Sequence, residues 1–251
     1  MNFYEKIAHI YENPVNSKFY KSIAEELCKL IKKSVGNRNI FSILELGAGT
    51  GYSTEILRKY FSEAEIWATD PSFKMLKIAK NKNISKTKYI VLDAENIQTF
   101  KIKFDLIFGN FCYHWFTLNI ASQLKNHLTH NGIIAFSIPV NLPDGTLGNK
   151  LLLKIYKNIK KNYFLSSKHR LKLKNLLSEF AEYNLKTHIF SFSETRFSKN
   201  WAYILRSRGS WYYLFGEFAQ EAENLWYKYT SHKNKIPLNW HVLLLIGLPF
   251  S

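Results

Sequence analysis

Cysteine is nearly missing from this 251-residue chain: Cys28 and Cys112 are the only two. Two cysteines exclude a disulfide framework and a cysteine-based metal site, so the pattern predicts a reducing, cytoplasmic setting and no bound metal. Long apolar runs are missing as well. The longest, "HVLLLIGLPF" at 241–250, is roughly half the length a membrane-spanning helix needs, and it runs into proline. The opening "MNFYEKIAHIYENP" carries charges where a secretory signal has its apolar centre. Acid is scarce: 19 Asp and Glu stand against 35 Lys and Arg, a formal net charge of +16. Between Asp144 and Glu179 there is no acid at all. Such a balance favours polyanionic partners, whether nucleic acid, anionic lipid or an acidic protein, without choosing among them. No internal repeat or low-complexity linker divides the chain.

What is present is a 46% apolar content, enough for one large core or one core with a smaller cap. Residues 3–33 read as helical with a break at Asn13-Pro14, and Phe19, Ile23, Leu27, Leu30 and Ile31 fall on one face. Beyond them, strands and helices alternate. Strands are expected at 40–46, 64–70, 87–93 and 104–110, with a fifth entered through "NG" at 131–132. Helices are expected at 53–61, at 71–81 with Pro71 in the first turn, and at 118–128. This alternation predicts a mostly parallel sheet with helices on both faces and every post-strand loop on one edge. Ligands bind at that edge, near the point where strand order reverses.

After residue 140 the rhythm changes. Residues 149–181 read as one or two basic helices, 185–195 as a strand, 198–230 as an aromatic helical stretch and 241–248 as the last strand. About 45 residues separate those two strands, more than a loop needs, which suggests a helical cap. One domain over 1–251 is expected, with N-terminal helices at 1–39, a core at 40–140, lid or cap helices at 141–240 and a last strand at 241–251.

The segment "LELGAGTGYST" ends the first strand. Its glycines, Gly47, Gly49 and Gly51, do not follow the dinucleotide spacing G-x-G-x-x-G, because Tyr52 occupies the third glycine's place. They do permit close backbone approach by a ligand without a pyrophosphate. Asp70 ends the second strand, where a carboxylate can accept both hydroxyls of a ribose. Asp93 follows the third and can accept from an adenine amino group. Asn110 follows the fourth, where an amino-acid moiety would lie. These loops together suit a nucleoside linked to an amino acid.

With "WATDPSFKML", "VLDAENI", "FDLIFGNFCYHWF" and "LTHNGIIAFSIP" in the same order, the constellation resembles the class I S-adenosylmethionine-dependent methyltransferases over roughly residues 40–140. That resemblance implies a Rossmann-like α/β fold, a seven-stranded sheet whose last strand runs antiparallel, and S-adenosylmethionine as cofactor. It implies that Glu45, Gly47, Ala48, Gly49 and Gly51 line the methionine part. Asp70, followed by Pro71, would hold the ribose, and Asp93 with Ala94 would frame the adenine. Within the superfamily the chain looks most like the small-carboxylate group, which includes trans-aconitate methyltransferases and the malonyl-acyl-carrier-protein O-methyltransferases of biotin synthesis. In the biotin enzymes a glutamine usually precedes the tryptophan; here His114 precedes Trp115. The Glu-Leu pair common after the threonine that follows strand five is also absent.

The favoured acceptor is the free carboxylate of a malonyl thioester on acyl carrier protein. RNA, another small carboxylate or hydroxyl metabolite, and a non-catalytic cofactor-binding partner subunit are the alternatives. His114 is the candidate to orient the acceptor or take its proton, with a hydrogen-bonded corner histidine as the plainer role. Trp115 is a candidate pocket wall, Tyr11 with Tyr4 a candidate cover, and Arg206 and Arg208 candidates to pair with a substrate carboxylate. The basic tract 150–174 would steer an acidic carrier protein, and RNA would favour the same surface.

Overall fold

The computed structural model describes residues 3–116, 120–140, 144–162 and 173–250. The expected helices at 118–128 and 149–181 therefore lie partly outside the described residues, as does part of the basic tract 150–174. The described residues form seven strands and ten α-helices. The strands are β1 (Ser42–Leu46), β2 (Glu65–Asp70), β3 (Thr87–Val91), β4 (Phe104–Asn110), β5 (Leu128–Val140), β6 (Tyr183–Phe197) and β7 (Lys235–Pro249). Before β1 come α1 (Phe3–Tyr11) and α2 (Pro14–Val35); α3 (Tyr52–Tyr60), α4 (Phe73–Lys80) and α5 (Ile120–Lys125) alternate with the strands. Later come α6 (Leu147–Asn162), α7 (Leu173–Glu179), α8 (Ser198–Ser207), α9 (Ser210–Phe215) and α10 (Ala219–Thr230).

The strands make one sheet in the order β3-β2-β1-β4-β5-β7-β6. The four ladders joining β3, β2, β1, β4 and β5 are parallel. The chain walks outward from β1 to β3, then returns to the other side of β1. Right-handed crossovers in opposite directions set helices on both faces, and the strand order reverses between β1 and β4. Ile43, Leu44, Leu46, Leu106, Ile107 and Phe108 are buried, as strands covered on both faces require. At the opposite end of the sheet, Asp105 Oδ2 accepts from the amides of Phe41 (2.9 Å) and Ser42 (3.1 Å), and Oδ1 accepts from the Thr129 hydroxyl (2.9 Å). One carboxylate thus ties the starts of β1, β4 and β5.

The chain divides into two compact units: Met1–Pro139 with Leu171–Phe190 and Val242–Ser251, and Val140–Arg170 with Ser191–His241. In the second, Trp201, Trp211 and Trp226 are buried, and each indole N–H donates to a backbone carbonyl, of Ile236, Ala202 and Ser198 respectively.

Several boundaries differ from the sequence expectation. Pro71 precedes α4 rather than entering it, because Ser72 is the N-cap and accepts from the Met75 amide. The "NG" at 131–132 lies inside β5, where the register slips between Phe104↔Leu128 and Leu106↔Ile133. This is a bulge: a Cβ on Gly132 would stand 2.8 Å from the Phe104 carbonyl oxygen. Strand β7 begins at Lys235, six residues before the expected start, since Pro237 hides its alternating pattern.

Candidate active site at the carboxyl edge of the sheet

All three loop glycines have left-handed backbone: φ is +65° at Gly47, +56° at Gly49 and +86° at Gly51. Their surroundings differ. A Cβ on Gly47 would stand 2.5 Å from Cys112 Cβ, and one on Gly51 would stand 3.1 Å from Ala79 Cβ. Gly47 is therefore bare because the corner after β4 presses on it, and Gly51 because α4 does. A Cβ on Gly49 would meet nothing nearer than Tyr11 Cε1 at 4.0 Å. Only Gly49 offers bare main chain to a ligand.

Asp70 holds this loop. Its Oδ2 accepts from the Gly49 amide (2.9 Å) and its Oδ1 from the Ser72 amide (2.8 Å). Burial pushes its pKa up to about 6, against the lowering effect of those two amides. Glu45 is 1% exposed. Its Oε2 accepts from the Thr54 hydroxyl at 2.6 Å, while Oε1 is buried without a hydrogen-bond partner. Burial drives its pKa up to about 8, the Thr54 bond lowering it and the Asp70 charge raising it. Two buried carboxylates in one neighbourhood, one with an orphaned oxygen, suit a cationic ligand.

The corner after β4 is also strained. Phe111 has φ +58°, a left-handed value for a bulky residue, and its amide donates to the Ser137 carbonyl (3.0 Å) and hydroxyl (2.9 Å). The turn brings the Cys112 thiol, 3.1 Å from the Leu46 carbonyl, against the glycine loop. Burial holds that thiol well above its ordinary pKa, so it is protonated and inert. His114 follows, 7% exposed, its ring 5.3 Å from Trp115 and 5.9 Å from Phe111.

The N-terminal helices meet the same loop. Tyr11, Tyr20 and Tyr52 stack with near-parallel rings, 5.3 Å apart for Tyr11–Tyr20 and 5.9 Å for Tyr11–Tyr52. The Tyr52 hydroxyl accepts from the Asn13 amide (2.9 Å) and lies 3.2 Å from the Tyr11 carbonyl. Tyr52 thus pins the N-terminal segment. Glu5 ties α1 to the start of α4 through the Ser72 hydroxyl (2.9 Å) and the Lys74 amide (3.2 Å). Tyr4 packs edge-on against Trp115 at 5.6 Å.

The other residues singled out from the sequence are placed as follows. Ala48 is buried, its amide donating to the Thr69 carbonyl. Pro71 and Asp93 are exposed, and Asp93 caps the short 3-10 turn containing buried Ala94. The Asn110 side chain is committed internally: its amide donates to the Tyr20 carbonyl (3.0 Å) and Ser53 hydroxyl (3.0 Å), and its oxygen accepts from Ser137. In the second unit Arg206 pairs with Glu223, and Arg208, 4% exposed, pairs with Glu194 at 3.2 Å. Sequence reasoning missed Cys112, Phe111 and Glu5. The first two lie within "FDLIFGNFCYHWF" with no signal of their own, and nothing marks Glu5.

Over residues 43–132 the chain matches the family model of a methyltransferase domain. The malonyl-[acyl-carrier protein] O-methyltransferase of Bacillus cereus is 33% identical over 122 residues, 47% of this chain and 44% of that protein. The enzyme of the same name from Priestia megaterium is 37% identical over 120 residues, 47% and 43% of the two chains. The chain thus spans less than half the length of these relatives. Among solved structures, the YcgJ protein from Bacillus subtilis aligns over 90% of this chain and 99% of its own, with a TM-score of 0.62 and 13% identity. The plantazolicin methyltransferase BamL, solved with a desmethyl-plantazolicin analogue and S-adenosylhomocysteine, aligns over 98% and 90% with a TM-score of 0.55 and 17% identity. At such identity the likeness concerns the fold, which is the Rossmann-like fold of methyltransferases, and the methyltransferase-like core carries every feature described above from Glu45 to Trp115.

Proposed function

We propose that the chain is an S-adenosylmethionine-dependent O-methyltransferase acting on the free carboxylate of a malonyl thioester carried by acyl carrier protein, a step that would serve biotin precursor synthesis. The observation that carries the cofactor assignment is Gly49, left-handed and open, its amide gripped by Asp70 beside the orphaned oxygen of Glu45. When bound, S-adenosylmethionine supplies an electrophilic methyl whose carbon takes a new bond to the acceptor oxygen while the carbon–sulfur bond breaks toward sulfur. Glu45, ionised as the cofactor binds, would balance the ammonium of its amino-acid end, and Asp70 would accept from the ribose hydroxyls. Asp93 and Ala94 border the adenine. A carboxylate acceptor is already anionic, so no residue need remove a proton. His114 orients the acceptor oxygen beside Trp115, and the aromatic wall of Tyr4, Tyr11 and Trp115 excludes water.

The acceptor assignment is supported by the names of the relatives and by the basic charge of the chain. It is tested by incubating the purified protein with cofactor and malonyl-carrier protein. The expected result is a mass increase of one methylene unit on the acyl group. No increase, together with methylation of RNA, would replace the acceptor. Calorimetric titration with S-adenosylhomocysteine tests the cofactor site separately, and Asp70→Ala should weaken that affinity at least tenfold; an unchanged affinity removes the ribose assignment.

A further inference from the structure

Lysine is abundant in both compact units, but the two treat it differently. In the first, Lys21, Lys29, Lys59, Lys82, Lys86, Lys88 and Lys125 each pair with a glutamate. The second holds fourteen Lys and Arg against five Asp and Glu. Its ion pairs among the described residues engage Arg196, Arg206, Arg208 and His241, and no lysine. Glu194, Glu223 and Asp144 are thereby committed to other partners.

The uncompensated charge is ordered on α6. Ile155 and Ile159 are fully buried and Leu151 nearly so, which fixes the inward face. Lys150, Lys154, Lys157 and Lys161 are exposed at helical positions i, i+4, i+7 and i+11, so they form one stripe roughly 16 Å long. Lys160 and Leu153 flank it, and Leu153 is 44% exposed. Like charges three and four apart weaken a helix, so the stripe opposes the local stability of the element that carries it. Lys154 lays its ammonium 4.1 Å from the Tyr229 ring centroid, leaving the other lysines of the stripe unengaged by any described acid or ring.

We propose that this face of α6 is the docking surface for the acidic protein that carries the acyl substrate. The inference rests on the functional reading above and adds to it the surface and the kind of contact. Carboxylates along a helix of the carrier would meet ammonium groups at matching pitch, with an apolar side chain against Leu153. The stripe holds lysines without an arginine fork and without an exposed ring, which fits point-charge contact with carboxylates better than bidentate phosphate contact or base stacking.

The test is the full-length variant Lys150→Glu, Lys157→Glu, Lys161→Glu, with the milder variant carrying Gln at the same positions. Both relieve self-repulsion, so both should fold, as checked by circular dichroism and the urea midpoint. Binding of malonyl-carrier protein should weaken at least tenfold in the Glu variant and by an intermediate factor in the Gln variant, with a shallower salt dependence. Transfer of a methyl group to malonyl-pantetheine should stay within twofold of the unaltered protein. Unchanged carrier affinity in both variants would overturn the proposal. So would tighter binding of a single-stranded RNA oligonucleotide than of the carrier, lost in the same variants. Failure of transfer to malonyl-pantetheine by the unaltered protein would instead remove the functional reading, because carrier affinity is measured without turnover.

Discussion

At the scale of the residue, the glycine loop separates two reasons for the same amino acid. Gly47→Ala adds a Cβ into Cys112 at a left-handed backbone position. It should destabilise the fold by about 2–4 kcal/mol, read as a lower urea midpoint with unchanged slope. Gly49→Ala meets open space, so only the backbone strain of about 1–2 kcal/mol remains, and the larger effect should be on S-adenosylhomocysteine affinity. Equal stability losses in the two variants would contradict the contact at Cys112. The buried carboxyls give a second expectation. Both are raised in the folded state, Asp70 to about 6 and Glu45 to about 8, so the stability they contribute is full below their ordinary range. It is lost as pH rises through those values. The melting temperature of the free protein should fall between about pH 5 and pH 8.5, and Glu45→Gln should flatten the upper part of that fall. Affinity for cationic S-adenosylmethionine should move the opposite way, rising as the carboxyls ionise. A melting curve independent of pH in both proteins would remove the buried charge at Glu45. The glycines and acids stand out in the sequence because each lies in the last residues of a strand or in the loop that follows it. The partners of Arg206 and Arg208 do not: Glu223 and Glu194 lie 17 and 14 residues away, at no spacing that a helix or strand pattern marks.

Among the elements, β4 fell on its expected residues, and β1 and β2 nearly so, since apolar density and flanking turns bound them on both sides. Strands β5 and β7 did not. Strand β5 absorbs an apparent turn as a bulge, and β7 runs through a proline, both choices made by neighbours distant in sequence. Helix α3 shows a tie that no pattern predicts. The Arg58 guanidinium donates to the carbonyls of Ser85 (3.0 Å), Phe61 (3.0 Å), Ser62 (2.7 Å), Ala64 (2.8 Å) and Lys86 (3.1 Å). It joins the end of α3 to the approaches of β2 and β3. Lysine has three donors on one atom and cannot span those carbonyls. Arg58→Lys should therefore lower stability by about 2 kcal/mol, measured by urea unfolding, with cofactor affinity at saturating fold unchanged. A loss below about 0.5 kcal/mol would mean that water replaces the guanidinium at little cost.

For the whole molecule, charge is the property that the sequence announced and the structure apportions between ion pairs and bare surface. Seven lysines of the first unit have acid partners, whereas the described ion pairs of the second include none. Repulsion in the second unit should be relieved by electrolyte. Raising salt from about 20 to about 300 mM should move the urea midpoint upward, because screening acts most on exposed, uncompensated charge. A downward shift would indicate that the paired surface outweighs the bare one. Among the described residues no helix is long and apolar enough to cross a membrane.

The sheet is fastened at its foot by Asp105; at its rim Asp70 grips the Gly49 amide, while one oxygen of Glu45 is left without a partner. Injury at the two ends should consequently have different symptoms. A variant that melts early while still recognising S-adenosylhomocysteine points to the foot, and one that endures heat but goes hungry points to the open stretch of the rim around Gly49.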